Sequence, residues 1–306
     1  MRQGNKHCLH TAALGILIVM LCFFMAGSTV IYAEAPHVGG GYAATDQYSG
    51  AGYTSMIYDA SSGLPTSDAN YLLSASNGYL WIGGYSGIIR YDGSSFTRLD
   101  ASSGLTNGRG LFEDSKGRIW VGTNDNGVIV IDGSEMTHFT YKEGLPSSSI
   151  RVFAEDDKGT VYVGTTAGVC YVDPEMKITV LDDERINEDR VLRLDTDMDG
   201  TVYGQTKNGY VFEIKNREIF GVYSSEELGT EKITSILADP KAAGEVYLCT
   251  AEDVIYHGKF GSTAEHMERI SVAPLSNIHW ISYDCDRIWI ASTSEVGFWM
   301  RRISFI

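Results

Sequence analysis

The chain has 306 residues, 43 % of them apolar and 21 % charged, with a formal net charge of −15. That balance supports a folded core and excludes nucleic acid or anionic lipid as a partner bound through a basic face. Thirty-four glycines against six prolines suit many short strands joined by tight turns. The five cysteines make no CxxC spacing, so Cys170, Cys249 and Cys285 are expected to be buried small hydrophobes rather than ligands or a disulfide framework.

The first eleven residues are polar and carry Arg2 and Lys6, and residues 12–32 then run almost wholly apolar. This predicts one N-terminal apolar helix, a signal peptide or a single membrane anchor, within residues 1–35. Ala33-Glu34-Ala35 fits the small-x-small cleavage rule, with Pro36 an unfavourable neighbour. Basic residues ahead of the run place everything after it outside the cytoplasm. The protein is therefore expected to be exported, either anchored facing outward or secreted or periplasmic. Residues 36–52, with Gly39-Gly40-Gly41 and Gly50-Ala51-Gly52, predict a flexible linker.

From Tyr53 onward a short aromatic strand recurs, often between two glycines. Its aromatic residues are Trp81, Trp120, Tyr162, Tyr203, Tyr247 and Trp289, at steps of 39, 42, 41, 44 and 42 residues. A period near 42 built on strand-type residues is a repeat architecture. In the clearest unit, Gly104 to Pro146, four apolar runs are separated by Asp114-Ser115-Lys116-Gly117, Asn124-Asp125-Asn126-Gly127 and Asp132-Gly133. Such turns join antiparallel strands, and four strands per repeat make one propeller blade. The expected fold is all-β: a six-bladed β-propeller of four-stranded blades over residues 53–306. Met56–Pro65 looks like Phe96–Leu105, the outer strand and exit loop of blade one. Tyr53–Tyr58 is therefore expected to pair with blade six and close the ring, which removes unpaired edges. The alternative gives blade six its own outer strand, Ile303–Ile306, in a chain cut from a longer array. The six aromatic residues are expected in the core between blades.

Gly144-Leu145-Pro146, Glu155-Asp156, Gly159, Tyr162-Val163-Gly164-Thr165, Gly168 and Tyr171, with Gly63-Leu64-Pro65 and Gly104-Leu105, resemble the two-component regulator propeller repeat. The resemblance implies a β-propeller sensor domain outside the membrane, joined through a membrane helix to a histidine kinase or a diguanylate cyclase. Members of that family usually have seven blades, often in paired propellers, where this chain shows six. The chain is thus either a stand-alone exported propeller or the front piece of a larger sensor.

Aligned on the aromatic strand, Asn70, Arg109 and Arg151 are equivalent, eleven residues ahead of it. Arg190 follows the linker into blade four, and Lys232 and His279 lie in the matching stretches of blades five and six. Cations at the starts of inner strands face one mouth of a propeller channel, where arginine offers a fork to carboxylates. A small anionic or carbohydrate ligand, or a protein partner, is expected there, and pairing of two copies is compatible with this reading. Asp195, Asp197 and Asp199, followed by Gly200, match the opening of a calcium loop. Thr206 stands where its bidentate Glu belongs, and the alignment with Asp156 makes Asp197 and Asp199 ordinary turn residues. No catalytic motif with its proper context is present, so a binding protein without a cofactor is expected rather than an enzyme, the alternatives being an exported protein-interaction scaffold or a propeller lyase or glycosidase.

Overall fold

In the computed structural model, residues 28–34 and 57–301 are described, apart from 67, 100, 273–274, 285–286 and 293–294. They form six antiparallel sheets of four strands each, in sequential order within blades one to five. The first strands of those blades are Tyr71–Ser74, Gly108–Glu113, Ile150–Glu155, Val191–Thr196 and Ile233–Ala238. Blade six begins with Ile278–Asp284. First strands of successive blades lie side by side, and Tyr71 of blade one meets Trp280 of blade six edge to face at 6.0 Å, which brings the ring around.

The fourth strand of blade six is N-terminal, but it is Ser28–Glu34 and not Tyr53–Tyr58. It pairs with Glu295–Arg301 from Ser28↔Arg301 to Glu34↔Glu295. Thr29, Val30, Ile31 and Tyr32 give it the β-branched and aromatic content of a strand. Tyr58 belongs instead to blade one, where its ring packs on Tyr91 and Phe96 at 5.3 and 5.6 Å. The likeness of the two segments is real in their exit loops: Ala60–Ser62 and Ala101–Ser103 are both single 3-10 turns. The tail of the apolar run 12–32 is thus strand. Residues 12–27, the linker 36–52, Cys285 and Ile303–Ile306 lie outside the described residues. Among the described residues no helix is long and apolar enough to cross a membrane.

The repeat follows from packing. Trp81, Trp120, Tyr162, Tyr203 and Tyr247 are buried as expected, while Trp289 is half-buried. Each core bridges two blades: Trp120 packs with Phe153, Val161, Val163 and Cys170 of blade three, and Tyr162 with Val191, Val202 and Phe212 of blade four. Glycine at the end of the second strand permits that contact, since a Cβ at Gly122 would lie 2.7 Å from Ile150 Cγ2 of the next blade. Cys170 and Cys249 are buried and free, and burial raises both thiols, Cys170 to about 12.

The turn between first and second strands is built on one aspartate. Asp114 Oδ1 accepts the Lys116 and Arg118 amides, and its Oδ2 accepts Trp120 Nε1 at 2.8 Å and Arg118 Nε at 2.6 Å. Asp156 and Asp197 repeat the pattern with the Tyr162 and Tyr203 hydroxyls at 3.1 and 3.0 Å. Blade one has Ala75 at this position, and there the buried Trp81 Nε1 has no partner.

Candidate functional site

In blades two to six the pairing of first and second strands slips by one residue near its start. The extra residues are Arg109, Arg151, Leu192, Thr234 and His279. A bulge leaves its residue out of the ladder and re-aims its side chain. The equivalence expected of Asn70, Arg109 and Arg151 is thus a repeated backbone device, with Asn70 at the matching position of blade one, and His279, expected only in the matching stretch of blade six, takes the same bulge position. Arg190 and Lys232 are not bulge residues. In blade four the position falls on Leu192, two residues after Arg190. In blade five a longer turn separates the bulge from Tyr247 by thirteen residues, so it falls on Thr234.

The arginines nonetheless gather. Burial lowers the Arg151 guanidinium from its ordinary range, and the charges of Arg109 and Arg190 add to that shift. Arg109 donates from Nη2 to the Tyr85 hydroxyl at 3.1 Å and lies 4.8 Å from the centre of that ring. Its Nε is buried and has no hydrogen-bond partner. Arg151 donates from Nη1 to Asn124 Oδ1 at 3.2 Å. Among the described residues no ion pair involves Arg109, Arg151 or Arg190, and Asp189 beside Arg190 accepts the amides of Arg190 and Asn208. Like charges that influence one another, with no ion pair among the described residues, suit an anion better than they suit each other.

The other candidates separate from this group. Asn70 donates to the Gly108 carbonyl at 3.2 Å and ties blade one to blade two. His279 is exposed and contacts its neighbour's carbonyl, Asn277 O, at 3.2 Å. Lys232 lines a different hollow of about 570 Å³, with Asn208, Tyr210 and Ser225 among its walls.

Two residues of blade four reach its later neighbours, Arg193 to blades five and six and Asp195 to blade five. Arg193 lies 3.4 Å over the Trp280 ring, donates to His279 O at 3.0 Å and to Ser235 Oγ at 3.2 Å. Burial pulls its guanidinium down to about 10. Asp195 nearby accepts the Ala238 amide at 2.8 Å, and burial raises its carboxyl to about 6. Arg193 lies one residue beyond the bulge, so aligning the arginines alone passes over it.

The calcium arrangement does not assemble. Asp195 lies on the first strand, paired with Tyr203, while Asp199 is an exposed turn residue. Both oxygens of Asp197 are occupied, by the Asp199 and Thr201 amides on one side and the Tyr203 hydroxyl and Gly244 amide on the other. Among the described residues, the His, Asp and Glu donors that do converge are Asp239, Glu245 and His257 of blade five. An open groove of about 420 Å³ lies between the turns of blades three to five, with Asp157, Lys158, Asp199 and Lys215 in its walls.

Comparison with known proteins agrees with this architecture. Residues 107–125 and 144–167 match the model of the two component regulator propeller. The extracellular domain of BT3049 from B. thetaiotaomicron, assigned as a hybrid two-component system, superposes with a TM-score of 0.67 at 20 % identity. That match covers 92 % of this chain and 39 % of the other. The extracellular domain of BT4673 from the same organism gives 0.61 at 19 % identity over 77 % of this chain and 34 % of that one. This chain thus spans between a third and two fifths of those two structures. Virginiamycin B lyase from Staphylococcus aureus gives 0.61 at 17 % identity, covering 78 % of this chain and 82 % of the lyase. At these identities the likeness is one of fold. No curated protein matches the sequence.

Proposed function

We propose that this propeller, whose best-preserved units are two component regulator propeller repeats, is the extracytoplasmic sensing part of a bacterial signalling system. The ligand is a small anion, a carboxylate or a sugar acid, held by Arg109 and Arg151 with Arg190 at the edge. The observation that carries the reading is the arginine group, whose charges act on one another and which has no ion pair among the described residues. A guanidinium with a free donor direction in a partly desolvated setting gains most from a carboxylate that takes two parallel hydrogen bonds. The bulges fix two of the three side chains to rigid strands rather than to loops, which lowers the ordering cost of binding. Signal transmission needs two arrangements of blades or protomers with different affinities for the ligand. The likeness to extracellular domains of two-component proteins supports the outward location.

The test is thermal melting of the purified protein against a panel of organic acids, sugars and sugar acids. A ligand at one hundred times its dissociation constant adds about 2.7 kcal/mol of stability. Arg109→Ala and Arg151→Ala should each abolish the shift while leaving the unliganded melt nearly unchanged. A shift by a neutral sugar that survives both substitutions would move the site elsewhere. A protein that responds to no member of the panel points to a protein partner at this mouth.

A further inference from the structure

Blade five keeps the turn aspartate of its neighbours and changes what surrounds it. Asp239 Oδ1 accepts the Lys241 amide at 2.8 Å, and Oδ2 takes the Tyr247 hydroxyl at 3.3 Å, much as in blades three and four. Two residues ahead of the aromatic, blades two to four have Arg118, Thr160 and Thr201, whereas blade five has Glu245. Opposite the aromatic on the third strand they have Val130, Tyr171 and Glu213, whereas blade five has His257. Opposite that residue on the fourth strand they have Thr137, Thr179 and Gly221, whereas blade five has Glu268. Three positions, distant in sequence, all carry metal-type donors around one repeat carboxylate, where among blades two to four only Glu213 does.

Their geometry converges. His257 Nε2 lies 2.7 Å from Asp239 Oδ2 and 3.3 Å from Glu245 Oε2, and the three donor atoms lie within 4.8 Å of one another. Donors at about 2.0–2.2 Å around one tetrahedral ion stand roughly 3.3 Å apart, so the Glu245 separation already fits and the Asp239 separation needs a shift of about half an ångström. The imidazole is held in place by stacking on Tyr247, with ring centres 4.1 Å apart and planes at 16°. Its other nitrogen, Nδ1, lies 3.7 Å from Glu268 Oε2. A carboxylate on the far nitrogen of a ligating histidine is the usual way to fix its tautomer and raise its basicity. The Asp239 and His257 side chains are 4 % and 3 % exposed while Glu245 is 41 % exposed, so the site is closed on one side and open to solvent on the other.

We propose that Asp239, Glu245 and His257 bind one divalent transition-metal ion of the zinc type, with Glu268 as the carboxylate behind the histidine. One imidazole and two carboxylates suit a borderline ion, and an open fourth position is left for water or a ligand atom. The site lies at the end of the first strand, Ile233–Ala238, opposite to the bulge at Thr234, so it is separate from the arginine mouth.

The experiment uses the full chain, stripped with chelator and dialysed, then titrated with Zn²⁺ and, for spectroscopy, with Co²⁺. One equivalent of Zn²⁺ is expected per chain, with Co²⁺ giving the visible absorption of a four- or five-coordinate ion. Excess Zn²⁺ should raise the melting temperature by roughly 5–10 °C. Glu268→Gln should weaken binding by about 10–100-fold, and Glu245→Gln by more. Asp199→Asn, in an exposed turn, should leave both the stoichiometry and the spectrum unchanged. Because Glu245 and Glu268 are half-exposed, their variants test the site even where a substitution of buried His257 prevents folding. Absence of stoichiometric Zn²⁺ binding, or equal binding by Glu245→Gln, overturns the proposal and leaves a histidine–carboxylate cluster that serves only the fold.

Discussion

Blades two and five are built on one plan and use it differently. In blade two the turn aspartate is enclosed, and its partners are Arg118, the Trp120 indole and the turn amides. The Asp114 side chain is fully buried, and its charge is met by a guanidinium at 2.6 Å. In blade five the same aspartate shares its pocket with a histidine and a second carboxylate that faces solvent. The contrast teaches that blades two to five keep a turn aspartate bonded to the aromatic or its surroundings, while the positions beside them on the second, third and fourth strands change chemistry. Blade one shows the opposite departure, losing the aspartate and leaving an indole N–H unpaired.

The largest way to break blade two is at its aromatic. Trp120→Ala removes a fully buried side chain that packs across two blades and should cost about 3–5 kcal/mol in denaturant unfolding. A melt within error of the parent would remove the inter-blade role assigned to it. Asp114→Asn deprives buried Arg118 of its counter-charge and should cost about 2–4 kcal/mol, the same with or without added Zn²⁺. Asp239→Asn sharpens the contrast, because its penalty should be larger with Zn²⁺ present than without.

Asp195 gives a prediction of opposite sign. Its folded-state value is raised to about 6 from an ordinary 3.8, so the folded protein holds a proton that the unfolded chain releases between those two pH values. Stability contributed by this group therefore falls as pH rises from about 4 to 6 and stays lowered above. Asp195→Asn should stabilise by about 2 kcal/mol at pH 7.5 and by little at pH 4, read as paired melts. A destabilised variant at pH 7.5 would mean that the charge itself is used. The smallest expected effect is in blade one, where Ala75→Asn offers the Trp81 indole an acceptor and should gain about 1 kcal/mol.

The glycine-aromatic-glycine strand at a 42-residue period determined, from sequence alone, the fold, the number of blades and five of the six buried aromatics, because each blade must bury both faces against its neighbours. Local turn chemistry was legible for the same reason: Asp114, Asp156 and Asp197 precede their aromatics by a constant six residues. The closing strand was misplaced because Met56–Pro65 copies an exit loop, and a copied loop carries no information about what the strand beside it pairs with. Counting eleven residues back from the aromatic reaches the bulges at Arg109 and Arg151; His279, placed only in the matching stretch, stands ten residues before Trp289, and Arg190 and Lys232 miss the bulge because the register or the turn length changes there. Only the tertiary structure decided that Arg193 reaches across to Trp280, that among the described residues no carboxylate forms an ion pair with Arg109 or Arg151, and that Asp239, Glu245, His257 and Glu268 meet. Those contacts join residues on different strands and blades, whose distances depend on how sheets stack and twist, a quantity that no spacing along one chain encodes.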